Sequence, residues 1–301
     1  MFVTRFAPSP TGDLHFGGAF VALASWWLAR KHGGRFVVRM EDIDTPRVVP
    51  GAGDRILDDL AWLGLTWDGE VATQSKRTSL YLDAIENLKS QGLVYACDCS
   101  RAELARIASA PHGSDELVYP GLCANADPQR VMKRDPALRV RAPRDASAQI
   151  SFEDEIQGKY TQNIAEKVGD FVIRRGDGIF SYQLAVTVDD TEQGVTHVIR
   201  GADLLSSTPR QIFLARALGH EPPVYMHLPL VLDVSGGRIA KRSTGAHVRA
   251  LREAGVPREK ILGDLAHALG LTEKKAPIDP PTLAGRDRAS PWPTSSWRIG
   301  V

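Results

Sequence analysis

The residues of this chain best equipped for chemistry fall into a few short groups. Cys97 and Cys99 form a C-x-C, and Cys123 ends the run YPGLC. Thiolates so spaced suit a structural zinc, which takes four ligands. The fourth is open among His112, Tyr119, Asp98 and water; imidazole is a common zinc ligand and phenolate an uncommon one, so chemistry alone favours His112. Three cysteines, an odd number, argue against a disulfide framework. A site closed by four protein ligands leaves no position for a catalytic water, so this metal would be structural.

The second group lies in Val3 to Gly18, VTRFAPSPTGDLHFGG. A helix N-terminus leaves backbone N–H groups without partners, and with the helix dipole they favour an anion such as phosphate. His15 stands there as a further donor, and Gly17 and Gly18 expose the backbone where alanine would favour the helix by about 1 kcal/mol. Something is expected to approach that backbone closely. Arg5 offers a planar guanidinium that can grip a carboxylate through two parallel hydrogen bonds. Glu41, Asp42 and Asp44 are carboxylates available to a cationic group, and Lys241 projects from the Gly-rich stretch GGRIAKR, where a mobile lysine can close on phosphate.

These groups need elements to hold them. Val3 to Ala7 alternates as a strand; Pro8, Pro10 and Gly12 stop it, and an apolar helical run follows from Leu14 to Arg30. His32-Gly33-Gly34 ends the helix, and RFVVRM (35–40) has the β-branched content of a strand buried on both faces. Two strands joined by a helix make a parallel βαβ unit, whose ligands sit at the carboxyl ends of the strands, where the Arg5 turn and Glu41 both fall. Apolar spacing predicts helices over 54–64 and 77–91, with Trp62 and Trp67 as core residues. A helix is expected over 100–109, then an irregular stretch over 110–134 and strands in LRVRAP and at 149–152. Phe171 to Arg174 and Ile179-Phe180 bracket the turn Gly176-Asp177-Gly178 as a hairpin, and Tyr182 reads as a tyrosine at a strand's edge. Residues 245–270 read as helical, and the proline-rich 276–293 as irregular.

With 301 residues the chain can bury a large core and divide into a main domain and a smaller one. Lys+Arg 37 against Asp+Glu 36 leaves a net charge of +1; any contact with nucleic acid must be a local patch. Met1 leads directly into the first predicted strand, and no apolar run reaches the roughly 20 residues of a membrane helix. A cytoplasmic protein is the expectation.

The sequence also resembles a known family. HFGG at 15–18 is similar to the HIGH signature of class I aminoacyl-tRNA synthetases, and RFAPSPTG at 5–12 to the version carried by the glutamyl enzymes. The likeness continues through RMEDIDTPR (39–47), GVTHVIRGADLLSSTPR (194–210) and HLPLVLDVSGGRIAKR (227–242), in the family's order. GRIAKR resembles the KMSKS signature, with Lys241 at the catalytic lysine; Arg238 and Ala240 depart from the pattern, which bears on loop closure. The resemblance implies an α/β fold: a Rossmann-like parallel-sheet catalytic domain, an inserted zinc-containing subdomain and a short helical C-terminal region. Its implied divisions are 1–95, 96–168 for the insert, 169–244 for the second catalytic half with the KMSKS-like loop, and 245–301.

The resemblance further implies residue roles. Glu41 and Tyr182 face the ammonium of a glutamate substrate, Arg5 its side-chain carboxylate and Arg200 its carboxylate end, with Ala7 and Ser9 beside them. Pro8, Gly12, His15, Gly17, Gly18 and Lys241 take ATP, with Mg²⁺ on its phosphates, and His15 and Lys241 are the catalytic pair. Asp189 and Asp190 belong to the same blocks, without an assigned role. One short branch, the glutamyl-queuosine tRNA-Asp synthetases, is similar around the cysteines, and in it zinc is held by residues matching Cys97, Cys99, Tyr119 and Cys123.

Activation of this kind joins the carboxylate of L-glutamate to the α-phosphate of ATP and expels pyrophosphate. Charge builds on phosphate oxygens, so catalysis is mostly positioning plus fixed positive charge and needs no protein nucleophile. The stretch after Lys241 has no room for the anticodon-reading domains of a full glutamyl-tRNA synthetase. The short branch instead esterifies the queuosine at the wobble position of tRNA-Asp, and that is the expected partner. A conventional glutamyl-tRNA synthetase charging an acceptor end, and a non-catalytic tRNA-binding relative, are the alternatives.

Overall fold

The computed structural model describes residues 1–100, 102–104, 118–232 and 247–298. Its main sheet has seven strands in the order β3-β2-β1-β9-β10-β6-β7: β1 (Val3–Phe6), β2 (Arg35–Met40), β3 (Ala72–Thr73), β6 (Gln149–Asp154), β7 (Gly158–Asn163), β9 (His197–Gly201) and β10 (Val224–Leu228). All neighbours run parallel except the hairpin β6–β7. A small antiparallel sheet holds β4 (Val94–Cys97), β5 (Ala137–Val140) and β8 (Phe171–Arg174) in the order β4-β5-β8. A last pair joins β11 (Val231–Leu232) to β12 (Trp297–Arg298). This is the mixed α/β architecture, with a mostly parallel sheet, that the sequence predicts.

The first βαβ unit forms as expected. Helix α1 (Phe16–Lys31) carries no polar stripe; Phe16, Ala19, Phe20, Leu23, Trp26, Trp27 and Leu28 are all buried. A helix apolar all round must be covered all round. The sheet covers one side of α1, and Ile261, Leu265 and Leu283, from helices Arg258–Ala268 and Pro280–Ala284, belong to the same apolar core. The C-terminal region is therefore part of the main core, and a short helix interrupts the stretch expected to be irregular. Gly33, with φ +58°, reverses the chain after α1, and a Cβ on Gly34 would sit 2.1 Å from the carbonyl oxygen of Phe2. Arg35 N–H donates to that same carbonyl at 2.8 Å, which sets β2 beside β1.

Two helices follow the apolar spacing: α2 (Ala52–Trp62), whose Ile56 and Leu60 join the main core, and α3 (Thr78–Ser90), which packs on β4. Trp62 and Trp67 are half-buried against the core. The β8 turn closes by an antiparallel bridge between Arg174 and Phe180.

Tyr182 departs from expectation. It heads the helix Tyr182–Glu192, whose first turn is capped by Ser181 accepting from Leu184 N–H at 3.3 Å. Val186, Thr187 and Val188 give the segment a strand-like look, but packing against α3 and the helix Thr208–Ala217 outweighs that weak preference. The sheets also divide the chain differently from its sequence blocks. The β6–β7 hairpin, inside 96–168, pairs with β10 in the main sheet, whereas β8, just beyond 168, belongs to the small one. Of the helix expected over 100–109, residues 102–104 are helical and the others, Ser100 apart, lie outside the described residues.

Candidate functional site

Strand order reverses direction at β1: the chain runs outward through β2 and β3 on one side and through β9 and β10 on the other. In an open parallel sheet the crevice at such a switch point, beyond the carboxyl ends of the strands, is where a ligand fits. A cavity of about 510 Å³ lies there. Arg5, Ala7, Pro8, Ser9, Gly12, His15, Gly17, Gly18, Glu41, Tyr182 and Arg200 all line it. The residues expected to take glutamate and ATP are thus brought to one place, except Lys241, which lies outside the described residues together with Arg238 and Ala240; the candidates Asp42 and Asp44 do not line the cavity. Val231 and His247, on either side of that stretch, line the same cavity.

His15 is the N-cap of α1. Its Nδ1 accepts the Gly18 N–H at 3.0 Å, so the neutral ring carries its proton on Nε2. The close approach foreseen at the glycines is made by this ring: a Cβ on Gly17 would lie 3.1 Å from His15 Nδ1 and 3.2 Å from Cε1. On the other side of Gly18, a Cβ would meet Leu14 Cδ1 at 3.0 Å. The missing side chains let the imidazole fold back over the first turn.

Arg5 is buried and held by its Nε, which donates to Asp190 at 3.2 and 3.4 Å, and by Nη1, which donates to the Ile199 carbonyl at 3.0 Å. Asp190 also receives Arg39 Nη1 at 2.8 Å, and Arg39 reaches Glu41 through Nη2 at 3.2 Å. Asp189, fully buried, accepts from Gln74, Arg77 and Tyr81 at 2.8, 2.6 and 2.8 Å and lies 3.6 Å from Arg39 Nε. Asp189 and Asp190 therefore supply the negative charge that holds Arg5, Arg39 and Arg77. Burial works against the Asp190 carboxylate, but Arg5 and Arg39 outweigh it and hold its pKa below the usual value. Glu41 goes the other way: burial raises its carboxyl above the ordinary range despite Arg39 and Arg5. A cavity-lining carboxylate short of positive charge is suited to a cationic ligand group. Its neighbours are used elsewhere, Asp42 accepting from Ser75 N–H and Oγ at 2.8 and 2.6 Å and Asp44 pairing with Arg47.

Asp203 and His247, which also line the cavity, and Arg39 were not singled out from the sequence; Arg39 and Asp203 stood inside the quoted blocks, and nothing in a local motif marks His247.

Residues 1–277 match the family described as tRNA synthetases class I (E and Q), catalytic domain. The chain belongs to that family. Its relatives include a glutamyl-Q tRNA(Asp) synthetase of Geobacter sulfurreducens, 50% identical over 83% of this chain and 79% of that one. Another of the same name, from Neisseria meningitidis, is 44% identical over 100% of this chain and 97% of that one. Among solved structures, a glutamate tRNA ligase from Elizabethkingia meningosepticum in complex with its amino acid superposes with TM-score 0.84 at 25% identity, covering 99% of this chain and 67% of that chain. The sheet described above is thus the class I tRNA synthetase fold, and the chain is a ligase of that family. No helix among the described residues is long and apolar enough to cross a membrane.

Away from the cavity, the Sγ atoms of Cys97, Cys99 and Cys123 lie within 4.8 Å of one another, a cluster that could hold a metal ion. Tyr119 Oη stands 3.3 Å from Cys97 Sγ and 3.7 Å from Cys99 Sγ, and Cys99 and Cys123 are 3.6 Å apart. A tetrahedron of thiolates with bonds of about 2.3 Å has edges of roughly 3.8 Å, close to the 3.6 Å between Cys99 and Cys123. Burial, with Cys123 and Cys97 alongside, pushes the Cys99 thiol up to about 12; a bound cation would reverse that. Asp98 is engaged by Arg130 at 2.7 and 2.8 Å and by Lys133 N–H at 2.9 Å. His112 lies outside the described residues.

Proposed function

We propose that this synthetase uses ATP to activate L-glutamate as glutamyl-adenylate and transfers the glutamate to the queuosine base at the wobble position of tRNA(Asp). The observation that carries the reading is the single cavity lined by Arg5, Glu41, Tyr182 and Arg200 on one side and by the His15-headed helix on the other. It has opposed charges for an amino acid beside a helix N-terminus for phosphate. The likeness over 97% of a relative named for glutamyl-Q tRNA(Asp) favours queuosine over a tRNA acceptor end and over a non-catalytic role.

In this reading Glu41 and Tyr182 receive the ammonium, Arg5 the side-chain carboxylate and Arg200 the carboxylate end, with Ala7 and Ser9 completing the amino-acid side. Pro8, Gly12, Gly17 and Gly18 let ATP lie against the backbone. His15, with its proton on Nε2, donates to phosphate, and Lys241 adds positive charge as the α-phosphate is attacked. Mg²⁺ bound with ATP would add positive charge at the phosphates. Cys97, Cys99, Tyr119 and Cys123 would hold one zinc per chain, and four protein ligands would close it as a structural site.

The test is transfer of labelled glutamate to purified tRNA(Asp) with and without queuosine, with tRNA(Glu) alongside. Label on queuosine-bearing tRNA(Asp) alone is the expected result. Label on tRNA(Glu) would make this a conventional glutamyl enzyme, and no label on any RNA would overturn the transfer step.

A further inference from the structure

Arg200 on β9 and His227 on β10 are partners in the parallel register, so their side chains leave the sheet side by side. Arg200 Nε donates to His227 Nε2 at 2.9 Å, and on the other edge of the imidazole His227 Nδ1 lies 2.6 Å from Asp154 Oδ2. Asp154 ends β6, and its Oδ1 accepts the backbone N–H groups of His227, Ile156 and Gln157 at 3.2, 3.1 and 2.8 Å. All three side chains are shut away from water, with 2% of Asp154, 0% of His227 and 4% of Arg200 exposed.

One arrangement of protons satisfies this chain. A guanidinium only donates, so Nε2 of His227 must accept, and the neutral ring then carries its proton on Nδ1, facing Asp154. Burial and the Arg200 charge keep the ring below its ordinary pKa, against the pull of Asp154. The rest of the guanidinium is held as firmly: Nη1 donates to Gln211 Oε1 at 2.7 Å and Nη2 to Thr208 Oγ1 at 2.6 Å. Among the described residues these contacts engage three of its five N–H donors, and Arg200 lines the cavity.

We propose that Asp154 is a positioning residue for the amino-acid substrate: acting through His227, it fixes the orientation in which Arg200 presents its remaining N–H groups to the carboxylate. The inference rests on the reading of the cavity as a glutamate site. Asp154 touches no substrate. It selects the tautomer of His227, and the tautomer decides whether Arg200 meets an acceptor or a second donor.

Asp154→Asn tests this with almost no change of shape. The side-chain amide then donates towards His227 Nδ1, the ring proton moves to Nε2, and it confronts the Arg200 Nε–H. His227→Gln does the reverse: it removes the ring but keeps the polarity, since its amide N–H can donate to Asp154 and its carbonyl can accept from Arg200. The assay is ATP–pyrophosphate exchange at varied glutamate and varied ATP, in the presence of queuosine-bearing tRNA(Asp), with thermal melting of each variant. For Asp154→Asn the KM for glutamate rises at least tenfold while that for ATP stays within twofold; for His227→Gln the rise is smaller. A role in shape alone would rank the two the other way, and that ranking, or a glutamate KM unchanged in Asp154→Asn, overturns the proposal. Should Asp154→Asn not fold, His227→Leu against His227→Gln carries the comparison, with the leucine variant at least tenfold weaker for glutamate if the proposal holds and equal to it if not. Wild-type protein that exchanges no pyrophosphate with glutamate would instead overturn the functional reading beneath it.

Discussion

Gly17→Ala should separate the stability of α1 from the chemistry at its N-terminus. The added methyl lies 3.1 Å from His15 Nδ1 and 3.2 Å from Cε1, closer than ordinary contact, so the ring must move by a few tenths of an ångström. That movement weakens the 3.0 Å bond by which Nδ1 accepts the Gly18 N–H. Loss of an N-cap costs about 1 kcal/mol, and alanine in place of glycine returns up to about 1 kcal/mol. The two offset, and the melting temperature should stay within roughly 2 °C at the size of this chain. The chemistry does not share that cancellation. A hydrogen bond to a charged phosphate is worth about 1.5–3 kcal/mol, so displacing the donor should lower kcat/KM for glutamate-dependent ATP–pyrophosphate exchange by roughly ten- to a hundredfold. An unchanged melting temperature with exchange within twofold of wild type would refute the role given to the His15 ring. A fall of roughly 10 °C would refute the balance drawn for the helix.

Three further outcomes follow from the charges and the cluster. The raised pKa of Glu41 means that its ionised form opposes folding, an effect absent below the unfolded carboxylate pKa and growing as pH rises through the folded one. Glu41→Gln should therefore keep or raise the neutral-pH melting temperature while raising the KM for glutamate, and in the wild type that KM should climb as pH falls through the Glu41 pKa, above the usual value near ~4.3. A KM flat across acid pH would contradict the pairing with an ammonium. Asp189→Asn leaves Arg77 and Arg39 short of a buried carboxylate, which costs about 3–5 kcal/mol when a buried pair is broken; scanning calorimetry should show a drop of about 6 °C or more, and no drop would mean the pair adds nothing. Tyr119→Phe keeps the ring beneath Arg139, whose guanidinium carbon sits 3.8 Å from the ring centroid, yet removes the hydroxyl. Zinc measured by elemental analysis after competition with a chelator should fall below that of wild type, and equal retention would remove Tyr119 from the ligand set.

Local pattern was enough wherever local chemistry fixes the backbone. The turn after β1, the glycines at α1 and the stop at Gly33 follow from residue types whose backbone preferences are strong. Tyr182 was misread because Val186, Thr187 and Val188 favour a strand only weakly, and burial against α3 and the helix Thr208–Ala217 decides otherwise. Asp189 and Asp190 could be seen in the sequence but not given a task, because their partners Arg5, Arg39, Gln74, Arg77 and Tyr81 are distant in the chain.

The sequence by itself determined the βαβ start, the cysteine spacing, the family and the candidate residues that line the cavity. These rest on short runs, where each residue constrains its neighbours directly. Only the tertiary structure decided that the β6–β7 hairpin joins the main sheet beside β10 and so carries Asp154 to His227 and Arg200. It also decided that Asp190 ties Arg5 to Arg39, and that Tyr119 Oη lies 3.3 Å from the Cys97 thiol while Asp98, 3.7 Å from Cys123 Sγ, is paired with Arg130. Each is a contact between segments far apart in the chain, set by which strand pairs with which and by the need of every buried charge for a partner, and neither requirement leaves a mark at a fixed spacing.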